Sequence, residues 1–326
     1  MSLTHRHPPR RQFLRKSFFF FGALANTTSA AEKARGKEGG GALVETHPAG
    51  AAPSASAANP PGTADPEPPQ VFDAHLHCPS DESNQVWQWY PMTRTFSEFV
   101  QYLDRTGVQR GIINSVRCQL AKKPADFIAG NREVARYVEK YRGRFLGACV
   151  VNPLFIDEAL REIEECRKQL GFTWVGELCN YTVPYQYTTK EFELLVQQVQ
   201  KLNMVLDVHT ELEEMEYIIQ KYPRATIVFP HFGDGHEYEH IFKRIDLIAQ
   251  HQNCYIDTSG YGHDRVGMLE YAVKTIGPDR VLFGSDFSIN DPSTVIARIK
   301  NGFLTETQQK KILSGNLQAL LSKVQT

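Results

Sequence analysis

The chain has 326 residues, 41% of them hydrophobic and 22% charged, which suits one sizeable buried core and excludes a disordered or fibrous class. Its net charge of −1 hides an asymmetry: residues 1–40 carry eight Lys/Arg against two Asp/Glu, leaving −7 on the remainder. A mildly acidic body argues against nucleic acid as a partner.

Residues 1–31 read as a twin-arginine-type signal peptide. Arg10-Arg11-Gln12-Phe13-Leu14-Arg15, with Arg6 and Lys16, forms the charged region. Ser17 to Ala25 is modestly apolar, and Thr28-Ser29-Ala30-Ala31 supplies small residues for cleavage. The apolar stretch is too short to span a bilayer, so no stable membrane insertion is expected after processing. This route exports folded proteins, which suits an enzyme that loads a metal first, and predicts a periplasmic or secreted location. An ordinary basic N-terminus would instead leave the protein in the cytoplasm. Residues 32–69, rich in Ala, Gly, Pro and Ser, bury too little apolar surface to fold and read as a disordered linker.

From residue 70 to 326 the chain alternates β-branched runs with amphipathic helical stretches. Strands are predicted at 71–77, 109–116, 145–151, 172–178, 204–209, 225–231, 253–258 and 280–286. Helices fall between them at 96–103, 131–141, 156–170, 190–201, 212–221, 240–251, 265–275 and 292–299, and one at 306–324 closes the chain. Eight strands with eight crossovers match a single α/β domain, a (β/α)8 TIM barrel. An open doubly wound sheet would alternate similarly, but no glycine-rich phosphate loop follows the first strand.

Five apolar runs end in residues that ligate metals. They are Asp73-Ala74-His75-Leu76-His77, then Gly176-Glu177, Val208-His209, Pro230-His231 and Gly284-Ser285-Asp286. Strand side chains alternate with period two, so His75 and His77 project to one side. An HxH also arises by chance, as His5-Arg6-His7 in the leader illustrates. The reading rests on all the ligand types falling at C-terminal strand ends, where barrel active sites gather. Imidazole with carboxylate suits a divalent metal, zinc first, with manganese or iron as alternatives, as one or two ions. The six cysteines, Cys78, Cys118, Cys149, Cys166, Cys179 and Cys254, lack CxxC spacing and read as reduced packing residues.

These motifs, with Pro230-His231-Phe232-Gly233, Leu282-Phe283-Gly284-Ser285-Asp286-Phe287 and the tail Ile312-Leu313-Ser314-Gly315-Asn316-Leu317, resemble the amidohydrolase superfamily. More narrowly they resemble its amidohydrolase-2 branch, over residues 71–322. The resemblance implies a metal held by His75, His77 and Asp286, with His209 or Glu177 completing it. Asp286 would take the proton of a metal-activated water and pass it to the leaving group, and His231 would hold the nucleophile or polarise the scissile bond. Two-metal members use a bridging group on strand four. Decarboxylases and hydratases of the branch use one metal, with the strand-five histidine as ligand and the strand-six histidine as acid/base. Glu177 is thus a bridge or a nearby carboxylate.

Substrate signals are weaker. Trp87, with Trp89 and Tyr90, follows strand one, and Tyr181, with Tyr185 and Tyr187, follows strand four; such aromatics stack on a ring or pack their loops. Arg117 suits a substrate carboxylate or an ordinary salt bridge. His236 and His263 lie on loops at the mouth, with Asp234 and Arg265. The expected function is hydrolysis of a small-molecule amide, ester or lactone by an enzyme for which homo-oligomers are allowed. The alternatives are decarboxylation or hydration of an unsaturated carboxylic acid at the same site, and a non-catalytic ligand-binding barrel.

Overall fold

The computed structural model describes residues 70–80, 95–233 and 238–325. The leader at 1–31, the linker at 32–69, and Trp87, Trp89, Tyr90, Asp234 and His236 lie outside the described residues. Eight parallel strands run in the order β1 to β8. They are β1 (Phe72–Cys78), β2 (Arg110–Ser115), β3 (Phe145–Cys149), β4 (Trp174–Cys179), β5 (Val205–His209), β6 (Thr226–Phe229), β7 (Cys254–Asp257) and β8 (Val281–Leu282). The ring closes through backbone bonds between the β1 segment and the residues after β8. Ala74 N donates to Phe283 O at 2.8 Å, His77 N to Phe287 O at 2.6 Å, and Asp286 N to His75 O at 3.0 Å. This is the (β/α)8 barrel expected from the alternation.

Alternation explains the two layers of core. Phe72, Ala74, Ile112, Ala148, Trp174, Val205, Val228, Tyr255 and Leu282 point inward, and Leu317, Leu320, Leu321 and Val324 plug the N-terminal end. Their strand neighbours, such as Ile113, Val175, Leu206, Ile227 and Ile256, face the helices instead. Each fully buried large apolar side chain contributes roughly 1.5–3 kcal/mol, so the layers fix which strand faces look into the barrel. Helix starts follow local chemistry. Thr95 and Glu98 make a capping box before α1 (Phe96–Thr106), and Asp291 with Pro292 opens the helix Pro292–Asn301. All six cysteines are buried and no disulfide joins them.

Two expectations change. The strands predicted at 225–231 and 280–286 stop at Phe229 and Leu282. Pro230 has no N–H to extend the β6 ladder, and Phe283 N turns to Ile312 O instead of a strand neighbour; beyond them His231 (φ 65°) and Asp286 (φ 61°) adopt the left-handed conformation, which costs about 1–3 kcal/mol each in a non-glycine residue. The closing helix predicted at 306–324 is also interrupted. A π-helical turn at Lys311–Gly315 separates the helices Glu306–Lys310 and Asn316–Gln325. Ile312 O accepts from Phe283 N at 3.0 Å, and Asn316 Nδ2 donates to both Pro278 O and Val281 O at 2.7 Å. The tail therefore supplies the partners that so short a β8 cannot supply itself.

Asn316 is buried, so Asn316→Ala deprives two carbonyls of their donor. Loss of about 1–3 kcal/mol is expected from urea unfolding. Unchanged stability would mean that the tail does not brace β8.

Candidate metal centre

The ligand-type residues meet at the C-terminal mouth of the barrel. His75 Nε2 lies 3.0 Å from His77 Nε2, and His77 Nε2 lies 3.1 Å from Asp286 Oδ1. His75 Nε2 is 3.8 Å from the same Asp286 oxygen. Glu177 Oε2 stands 3.6 Å from His75 Nε2 and 3.5 Å from His77 Nε2. Register shifts between Asp73 and Leu76 on β1, and between Val175 and Leu178 on β4, flank His75 and Glu177. Such irregularities re-aim side chains beside active sites. Gly176 (φ 137°) makes the second one attainable, because a Cβ there would lie 2.2 Å from Asp207 O.

The far edges of the two β1 imidazoles decide what the near edges can be. His75 Nδ1 donates to Asp257 Oδ2 at 3.1 Å, and His77 Nδ1 donates to Asn114 Oδ1 at 2.9 Å. When neutral, both rings present Nε2 lone pairs to each other and to two carboxylates. Four lone-pair atoms so close repel unless a positive charge lies among them. Their 3.0–3.8 Å separations suit the edges of a coordination shell whose bonds are about 2.0–2.2 Å long. The donor set therefore fits a divalent metal. Electrostatics show the same need for positive charge: burial disfavours charge on His75, yet Glu177 and Asp257 outweigh it and raise the ring well above its ordinary value, so a proton and a metal compete for its Nε2. Burial likewise opposes ionisation of Glu177, but His75, His209 and His231 hold it well below the carboxylate range.

A second group sits beside the first. Glu177 Oε1 accepts from His209 Nδ1 at 2.9 Å and lies 3.6 Å from His231 Nε2. Glu177 is buried with one oxygen toward each group, so it is no solvated loop residue. Gln119 Nε2 secures its backbone carbonyl at 2.9 Å. His231 sits on a carbonyl-rich turn clamped by buried Arg244, which donates to Thr210 O at 2.5 Å, Pro230 O at 3.2 Å and His231 O at 3.4 Å. Asp286 keeps Oδ1 for the centre while Asn290 Nδ2 donates to its Oδ2 at 3.2 Å.

A small pocket, partly open to solvent, is lined by His77, Gln119, Glu177, Tyr181, Thr182, His231, Asp286 and Ile289. Of the expected substrate residues the structure brings Tyr181 here, its ring 4.9 Å from that of His209. Arg117 lies in the short helix Val116–Gln119 and is not among the lining residues. His263 is also outside the lining. It is buried with its ring edge-on to Phe232, and that burial pushes it down to about 4. Tyr185 and Tyr187 are buried and pack on each other and on Phe192, the loop-packing alternative. Sequence reasoning missed Asp257, Ser259, Asn114 and Gln119. The first had a signal, because Cys254-Tyr255-Ile256-Asp257 also ends an apolar run in a carboxylate at a strand end.

A family model described as Amidohydro_2, amidohydrolase, matches residues 72–322. The gamma-resorcylate decarboxylase of Polaromonas sp. (strain JS666 / ATCC BAA-500) is 26% identical over 267 residues, covering 65% of this chain and 79% of that protein. The 2,6-dihydroxybenzoate decarboxylase from Rhizobium superposes with a TM-score of 0.63 at 18% identity, over 78% of this chain and 98% of that one. The dihydroxybenzoic acid decarboxylase from Polaromonas sp. JS666, with bound manganese and the inhibitor 2-nitroresorcinol, gives 0.62 at 20% identity, over 78% and 97%. These relatives overturn the expected hydrolysis of an amide, ester or lactone and fit the decarboxylase alternative. The motifs misled because one donor set serves both chemistries.

His75→Ala combined with His77→Ala is expected to abolish metal content in elemental analysis while circular dichroism stays that of a folded barrel. Metal retained at wild-type stoichiometry would place the centre elsewhere. Glu177→Gln separates two arrangements: a fall from two ions to one makes Glu177 a bridge, and one ion in both proteins makes it a neighbour of the metal.

Proposed function

The chain belongs to the amidohydrolase family, and on that premise we propose that it is a metal-dependent decarboxylase of a small hydroxylated aromatic carboxylic acid. One observation carries the reading. His77, Glu177 and Asp286, which fit a cation with His75, line the same pocket as His231. The decarboxylase relatives supply the reaction class. The ligands in this reading are His75, His77 and Asp286, with His209 or Glu177 completing the shell. Nitrogen and carboxylate donors accept manganese or zinc, and the manganese in one relative favours manganese here. When bound, the cation supplies fixed positive charge for the oxygens of an anionic substrate.

The chain's own residues account for the rest. Tyr181 and Ile289 offer apolar surface beside the polar floor, where an aromatic ring can lie. His231, from the turn after β6, acts in its doubly protonated form: it delivers the Nε2 proton to the ring carbon that bears the carboxylate and is left as the neutral ring with its proton on Nδ1. The carbon–carbon bond then breaks and carbon dioxide leaves. The proton gained by carbon balances the carboxylate lost, so no oxidant or reductant is needed. Burial of the centre keeps bulk water from competing as a proton donor. Export through the leader at 1–31 belongs to the same reading.

Manganese-loaded protein is expected to release carbon dioxide from 2,6-dihydroxybenzoate or a close hydroxybenzoate, followed by loss of substrate absorbance. His231→Asn should lower kcat by about 10²–10⁴ with metal content unchanged. No turnover across a panel of hydroxylated benzoates would reject the proposal. For export, Arg10→Lys with Arg11→Lys should strand the protein in the cytoplasm, and undiminished export would discard the leader.

A further inference from the structure

Behind His231, away from the pocket, lies a buried hydrogen-bonded chain that neither the ligand set nor the proton step uses. Ser259 Oγ is 2.9 Å from His231 Nδ1 and 3.3 Å from His75 Nδ1, and it donates to Asp257 Oδ1 in a short bond. Asp257 is filled as an acceptor. Its Oδ1 also takes the backbone N–H of Ser259 at 2.8 Å and of His231 at 3.3 Å, and its Oδ2 takes His75 Nδ1 at 3.1 Å. Both of its oxygens are thus filled by hydrogens from these donors.

The direction of each bond then follows from counting protons. Asp257 has none to give, so the single Ser259 hydroxyl proton points to it. Toward His231 the Ser259 oxygen has only lone pairs left. A lone pair 2.9 Å from Nδ1 requires that this nitrogen carry the proton. Backbone geometry enforces the contact. Gly260 (φ 59°) presses its turn onto the ring, and a Cβ there would lie 2.2 Å from His231 Nδ1.

We propose that Asp257 and Ser259 are positioning residues that keep a proton on His231 Nδ1, so that Nε2 is the atom that gains and gives up the ring's second proton at the pocket. The same Asp257 orients His75 from its other oxygen, so one carboxylate sets two rings with different tasks. Second contacts of this kind fix tautomer and ring orientation. The tautomer assignment stands on the hydrogen bonds alone, and only its kinetic consequence rests on the decarboxylase reading.

The test is two-bond 1H–15N correlation on protein carrying labelled histidine and loaded with zinc, which is diamagnetic. His231 is assigned through His231→Asn, at alkaline pH where free imidazole is neutral. The expected result is an Nδ1-protonated ring in the wild type, and loss of that single tautomer in Ser259→Ala. A proton on Nε2 in the wild type, or an unchanged tautomer in Ser259→Ala, would overturn the proposal. Asp257→Asn, which preserves side-chain shape, is expected to weaken metal binding about 10–100-fold through His75. Ser259→Ala should leave metal affinity within about threefold and lower kcat about tenfold with little change in KM. Equal loss of metal in both variants would overturn the division of roles. A correct tautomer pattern in a protein without decarboxylase activity would reject the reaction and leave the positioning roles standing.

Discussion

The centre depends on lone-pair atoms crowded around one point that calls for positive charge. His75 and His77 give their Nδ1 protons to Asp257 and Asn114, so their Nε2 atoms face each other at 3.0 Å beside Asp286 and Glu177. Such an arrangement is unfavourable in isolation and becomes favourable around a cation. Much of the surrounding structure works to hold it: two register shifts, two left-handed backbones and a layer of buried polar partners.

The barrel supplies that force through closure. The seam between β1 and the residues after β8 is made by backbone bonds in which the ligands take part, Asp286 N donating to His75 O. Ligands far apart in sequence are thereby tied through main chain as well as through any shared metal. Because β8 is only Val281–Leu282, its alignment relies on the tail, where Asn316 and Ile312 supply the missing partners. The packing of α-helical tail on barrel floor and the position of a metal ligand at the mouth are thus one mechanical problem.

Glu177 shows how one donor set accommodates different chemistry. Its two oxygens address different groups, one toward the β1 histidines and one toward His209 and His231. The distances serve either a bridge between two ions or an anchor that keeps two histidines in place beside one ion. The proposed reaction class therefore rests on relatives named for decarboxylation, and on a pocket where His231 stands next to atoms that fit a cation.

The sequence by itself determined the barrel, its strand order and the candidate residues at strand ends. Alternating polarity with short β-branched runs is a local property, and so is a ligand at the end of such a run. Helices 190–201 and 212–221 were legible to the residue because their polar starts and apolar stripes are local as well. Only the tertiary structure decided how the chain turns after β6 and β8, because the left-handed turns at His231 and Asp286 are held by Arg244 and by His75 across the seam. It also decided that Arg117 and His263 do not line the pocket and that Asp257 serves two histidines at once. Those facts depend on atoms that meet across 13 residues of chain for Arg244 and His231 and across 182 for Asp257 and His75, a pairing that no local periodicity encodes.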